Sequence, residues 1–423
     1  MTHEPIATAT TSDRNESSSA FELEMKKLPR LFILGAGFSV PAGLPTSREL
    51  LNEVMNELHH HVSDGSKLEE SLDEFRSYMR ALNGGEEVEV DIELFSEYLS
   101  IDHYLGLRGS DTWSEAGNED QLMLRWCIGA VLHKRTPSIE NTPHLYFDFA
   151  KRLRARDVIV TFNYDRILEN VFELLRIPYR LVPDYISESN VAQRNIDLDR
   201  GSDEIILLKV HGSLDWIDST PLEDGKKYLR ANGFDDTSSF ENRNRVLGPT
   251  SPLRFHDLVE DQRSNDDYLK RIKVCDDLNG LYSSFLWLDG APLLLIPAIS
   301  KLLYADPFLS FWQYINPGEW NFNYNAISVI GYSLPPADRY TQQVLYKLAL
   351  AYVRSRTDDE LISNWRLPSR PNISVVDFRT TEGLQLELMN NYRFIDPAHI
   401  NFLFEGFTSE VLDTIFGIPK STS

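Results

Sequence analysis

The feature that most constrains this chain is a recurring one: short apolar runs that stop abruptly at glycines and small polar residues. Leu31-Phe32-Ile33-Leu34 runs into Gly35-Ala36-Gly37, and Val158-Ile159-Val160-Thr161 runs into Phe162-Asn163-Tyr164-Asp165. A third run, residues 205–210, ends at His211-Gly212-Ser213, and further runs occupy residues 293–296, 327–330 and 373–376. A strand that is apolar at consecutive positions is covered on both faces, which is the condition of a parallel sheet between helices. After the first glycine turn, Thr46 and Glu49 have the spacing of a capping box, and Leu50, Leu51, Val54, Met55 and Leu58 follow at helical intervals. Strands alternating with helices predict an α/β fold: a Rossmann-like, doubly wound parallel sheet.

Two stretches interrupt that alternation. Residues 47–150 carry helical patterns, such as the apolar face through Leu122, Leu124, Cys127, Ile128, Val131 and Leu132, and read as a helical insertion subdomain. Residues 218–275 are polar and read as a second insertion. Residues 1–27, rich in Ser, Thr and charge, are expected to form a disordered tail, which leaves residues 28–423 as the folded domain. No apolar run approaches the ~18 residues a membrane-spanning helix needs, and the amino terminus does not read as a secretory signal. Two cysteines, Cys127 and Cys275, are too few for a disulfide framework or a four-cysteine zinc site. The expected location is cytoplasmic. A formal net charge of −22 repels a phosphate backbone, so direct binding to nucleic acid is not expected.

Ligands of such sheets bind beyond the carboxyl ends of the strands. There the sequence places Gly35 to Ser39, Thr161 to Asp165, His211 to Ser213, and Gly331-Tyr332-Ser333. Gly35-Ala36-Gly37 suits a turn whose backbone amides approach a pyrophosphate, although Val40 stands where the usual fingerprint has its third glycine. Each block also has a plainer structural reading: a tight turn, a helix-capping asparagine, a satisfied core histidine. Their joint occurrence at successive strand ends favours a site. Other candidates are weaker. Consecutive helical residues such as His59-His60-His61 point in different directions and share one metal ion poorly; no metal site is expected. Lys301 reads as solvated, and Phe308, Phe311, Trp312 and Trp320 read as core.

In this order, LFILGAGFSVPAGLP, VTFNYD, LKVHGSLDW and VIGYSLPPAD resemble the bacterial sirtuin-like family of NAD-hydrolysing anti-phage defence effectors. The resemblance implies NAD+ as substrate, with no metal, and Asn163 and His211 as catalytic residues. It assigns Gly35, Ala36, Gly37 and Ser39 to a loop around the pyrophosphate and Gly331, Tyr332 and Ser333 to a later dinucleotide-contacting loop, with Thr161 and Asp165 as neighbours. The missing cysteine-held zinc ribbon, and the absence of an Asp-Phe-Arg run after the glycine loop, depart from protein-deacylating sirtuins. Water is then the expected acceptor, giving ADP-ribose and nicotinamide. A non-enzymatic NAD or ADP-ribose sensor or scaffold, and an NAD-dependent protein deacylase, are the alternatives. The resemblance further implies a silenced enzyme that acts as a homo-oligomer or with a separate protein partner, a HerA-type ring ATPase first or a short Argonaute second. Either insertion could cover the pocket.

Overall fold

The computed structural model describes residues 28–61, 66–107, 117–181, 203–259, 269–283, 291–296, 308–315, 324–335, 338–357 and 371–417. The expected tail, Lys301 and Trp320 lie outside them. The chain enters at β1 (Arg30–Leu34) and passes through one short helical turn, α1 (Ala36–Ser39). It then forms α2 (Ser47–His61), α3 (Lys67–Leu82), α4 (Ile92–Tyr104), α5 (Glu119–Arg135) and α6 (His144–Arg152) before β2 (Val158–Thr161). Helix α7 (Ile167–Leu175), β3 (Tyr179–Arg180) and β4 (Ile205–Lys209) follow. Next come β5 (Gly212–Asp218), α8 (Thr220–Ala231), β6 (Phe255–Asp257), β7 (Ile272–Cys275) and β8 (Pro292–Leu294). The chain closes with α9 (Leu309–Ile315), β9 (Ala326–Ile330), α10 (Arg339–Thr357), β10 (Ile373–Val376), α11 (Glu382–Asn391), β11 (Ile400–Leu403) and α12 (Ser409–Ile415).

Seven strands form one sheet in the order β11-β10-β9-β1-β2-β4-β3, with every neighbouring pair parallel. Central β1 places Leu31 opposite Val158 on one side and Ile327 on the other. Side chains alternate across a strand, and the core divides accordingly. Phe32, Leu34, Ile159 and Leu207 join a cluster with α2 through α7 and α12, whereas Leu31, Ile33, Val158, Val160 and Leu208 join one with α9, α10 and α11. This is the expected doubly wound fold. From β1 the chain builds outward through β2 and β4, then returns to β9 on the other side, so the topological switch point lies between β1 and β9. An ion-paired staple holds the opposite end of the sheet: Asp157, fully buried, accepts from Arg30 N at 2.8 Å, Arg30 Nε at 3.0 Å and Arg154 N at 2.8 Å.

Two elements differ from the expectations drawn from sequence. The run at 293–296 is not a strand of the parallel sheet. β8 pairs antiparallel with β5 in a second sheet of order β6-β7-β5-β8. Its residues are buried, but continuous burial does not encode the direction of pairing. The stretch 218–275 is therefore not a mere polar insertion: it supplies β6 and β7, and β7 pairs with β5. Phe402 belongs to β11, the edge strand, and Phe407 packs on Phe38 at 4.5 Å between ring centroids. The helical insertion appears as expected: among the described residues, five helices and no strand lie between residues 47 and 152. None of the described helices is long and apolar enough to cross a membrane.

Candidate functional site

At the switch point two loops touch with no side chains between them. A Cβ on Gly35 would lie 2.5 Å from Gly331 O, one on Gly37 2.7 Å from Gly331 Cα, and one on Gly331 2.2 Å from Phe38 N. Gly331 also has φ +67°, which a side chain disfavours. Gly35 N donates to Ile330 O at 3.0 Å and Gly37 N to Gly331 O at 2.9 Å. The glycines thus serve loop-to-loop packing, and the amides of Gly35 and Gly37 are committed within the protein. The helical turn that follows, Ala36–Ser39, runs directly into a 3-10 turn, Val40–Ala42. The residues of this loop that do line a cavity are Ala36 and Ser39.

The next strand end is locked by side chains. Ser39 Oγ donates to Asp165 Oδ2 at 2.7 Å, and Asp165 Oδ1 accepts from Ile167 N at 3.1 Å, the first residue of α7. Asn163 Nδ2 donates to Ser39 Oγ and to Gly35 O, both at 2.9 Å. The direction of this chain fixes the amide. Ser39 spends its proton on Asp165, so its oxygen must accept, and the group facing it must be the amide nitrogen. Both donor positions of Asn163 are used, which leaves Oδ1 as the acceptor. Asn163 N donates to Thr161 Oγ1 at 3.0 Å, so Thr161 shapes the loop and is not among the cavity-lining residues.

His211 follows β4 at the point where the chain leaves the parallel sheet for the antiparallel one. Its carbonyl accepts from Leu295 N at 2.8 Å, and its ring meets the edge of Phe162 at 4.7 Å. The turn requires glycine next: Gly212 has φ +87°, and a Cβ there would lie 1.8 Å from Leu293 O. Phe162 in turn stacks on Tyr332 at 4.1 Å and 11°. The Tyr332 hydroxyl donates to Asp338 Oδ2 at 2.6 Å, and burial, with Asp338 beside it, holds that phenol well above its ordinary range. One face and the hydroxyl of Tyr332 are therefore engaged within the protein. Ser333 is held through its carbonyl, which accepts from Asn391 Nδ2 at 2.9 Å.

These strand ends share one cavity, open to solvent. Of the residues singled out from sequence, Ala36, Ser39, Asn163, Asp165, His211, Gly331, Tyr332 and Ser333 line it, while Gly35, Gly37 and Thr161 stand behind it. His211 is only 1% exposed, so a ligand meets it only inside. The sequence offered the helical insertion as one of two candidate covers without singling out the roof residues: Leu50 of α2, Ile92 and Glu93 of α4, and Ile128 and Leu132 of α5. Apolar roof residues look like any core residue. Glu93, in the first turn of α4, is the one acidic side chain that could have been flagged. The helical insertion supplies this roof; none of the described residues of 218–275 lines the cavity.

Among the described residues no group of His, Cys, Asp and Glu is placed to hold a metal ion. His59 pairs with Glu69, and His61 with Glu57 at 2.8 Å. Cys127 and Cys275 are buried and unbridged, and burial pushes their thiols up to about 12 and about 11.

Residues 157–246 match the family model of the SIR2-like domain. The match takes in Asn163, Asp165 and His211 and includes neither Gly35 to Ser39 nor Gly331 to Ser333. No curated protein matches the chain. Among solved structures, that of Sir2Tm bound to a propionylated peptide aligns with 95% of this chain and 99% of its own at 12% identity, with a TM-score of 0.26. Strand order and register, not that alignment, carry the fold.

Proposed function

We propose that this chain is an NAD+ glycohydrolase that cleaves NAD+ with water to ADP-ribose and nicotinamide. The observation that supports it best is convergence. Four strand-end motifs far apart in sequence, including Asn163 and His211, line one cavity at the switch point of a doubly wound sheet, where such folds bind their ligands. The SIR2-like match over both Asn163 and His211 favours NAD+ as the ligand.

Cleavage of the nicotinamide–ribose bond leaves an oxocarbenium-like sugar, and the departing nicotinamide is neutral and needs no proton. The protein's work is to position, desolvate and stabilise. Asn163, with both amide protons engaged, presents Oδ1 to orient the attacking water or a ribose hydroxyl. His211, which lines the same cavity, accepts the proton released as water adds. The apolar roof of Leu50, Ile92, Ile128 and Leu132 keeps bulk water from the reacting bond. In the cell the reaction would deplete NAD+ as an effector of anti-phage defence, held in check by assembly or by a separate protein partner.

Purified protein incubated with NAD+ should release nicotinamide, measured by chromatography, with and without an acylated peptide. His211→Ala and Asn163→Ala should each lower release by about 10²-fold or more, with the fold intact by circular dichroism. Release that requires the acylated peptide would instead identify a deacylase. NAD+ binding without release, alone and with a co-encoded partner, would identify a sensor.

A further inference from the structure

Lys209, the last residue of β4, lies two positions before His211 and is 1% exposed. Its ammonium donates to Glu169 Oε1 at 2.6 Å and to Asp165 O at 2.5 Å, and reaches Tyr164 O at 3.4 Å. Three acceptors meet the three protons of an ammonium. Tyr164 O also accepts from Leu214 N at 3.0 Å and Ser213 Oγ at 3.4 Å. The two carbonyls that follow Asn163 are thus gripped by the chain segment that carries His211.

The grip is anchored by buried charge. Glu169 of α7 is almost fully buried, and burial pushes its carboxyl up against the opposing pull of Lys209. Arg166 Nε lies 3.3 Å from Asp215 Oδ2, extending the network from α7 to β5. Burying ions is costly, and well-packed apolar residues of similar volume stabilise a fold at least as well. An apolar side chain cannot, however, hold two backbone carbonyls at fixed positions.

We infer that Lys209 is a positioning residue, clamping the Asn163–Asp165 loop to the strand end that bears His211 and so setting the mutual geometry of the two side chains. This inference rests on the roles proposed above for Asn163 and His211. Misplacement of a reacting group by about 1 Å costs on the order of 10²-fold in rate.

The test uses the full chain with Lys209→Met, Lys209→Arg and the double variant Lys209→Met/Glu169→Leu. The double variant avoids a stranded buried carboxylate and is expected to fold and melt close to wild type. Two quantities are read: amide hydrogen exchange in the peptide spanning residues 162–166, and kcat and KM for nicotinamide release. Faster exchange there, with kcat lowered roughly 10- to 100-fold and KM little changed, supports the clamp, as does partial rescue by Lys209→Arg. Wild-type exchange or wild-type kcat in a folded double variant overturns it. If the wild type releases no nicotinamide under any condition, the proposed reaction falls, and the exchange measurement alone decides whether Lys209 holds the loop.

Discussion

The two halves of the cleft floor are built by opposite means. On the β1–β9 side, loops are joined backbone to backbone: Gly35, Gly37 and Gly331 let main chains approach to distances that no Cβ would permit. On the β2–β4 side, a backbone bond from Leu214 N to Tyr164 O is joined by a network of buried side chains, through Ser39, Asp165, Lys209 and Glu169. A contact made of bare backbone has no adjustable part, so it is kept or lost as a whole. A contact made of hydroxyls, carboxylates and an ammonium can lose one bond and keep the others. The difference teaches where this protein should tolerate change: almost nowhere on the first side, and in graded steps on the second.

The largest effect should come from the backbone side. Gly331→Ala adds a left-handed backbone penalty of about 1–2 kcal/mol, and its Cβ would sit 2.2 Å from Phe38 N, where no flexible side chain can give way. We expect a loss of at least about 3 kcal/mol in denaturant unfolding, or no soluble protein. A fully stable Gly331→Ala would break the comparison. Ser39→Ala tests the other side. It removes one donor to Asp165 and one acceptor for Asn163 and should cost about 1–3 kcal/mol, with the fold intact by circular dichroism and nicotinamide release reduced. Collapse of the fold would show the side-chain half to be as brittle as the other. The smallest effect belongs to the seam, where Tyr332 stacks on Phe162 from across the floor. Tyr332→Phe keeps the stack and removes the hydroxyl's bond to Asp338, for about 1–2 kcal/mol by thermal melting. A much larger loss would place the joint between the halves in that hydroxyl.

The sequence made the sheet legible because its central strands are buried on both faces. Val158–Thr161 and Ile373–Val376 appear as strands at the residues expected. It did not make β8 legible as antiparallel, since apolar residues such as Leu293 and Leu294 carry no record of their partner's direction. Asp165 lies one residue before the cap position of α7: the helix begins at Ile167, whose amide donates to Asp165 Oδ1. The glycines were visible but their neighbours were not: what fills the space beside Gly35 is a loop some 300 residues on in the chain. Lys209 was the signal left unread. A lysine ending the run Ile205-Ile206-Leu207-Leu208 has no reason to lie there unless buried acceptors wait for it.

His211 stands where the chain passes from one sheet to the other, and its carbonyl is held by Leu295. The pocket also needs Gly331 and its loop, which joins the sheet only when β9 pairs with β1. A chain emerging from the ribosome therefore carries Asn163 and His211 long before it carries a site. Closing it requires contacts across hundreds of residues, the slow kind in any folding reaction. Under the NAD+ hydrolysis proposed above, that order of assembly would be a built-in delay: partly made copies would be inert, and the hazard would begin only with a nearly complete molecule.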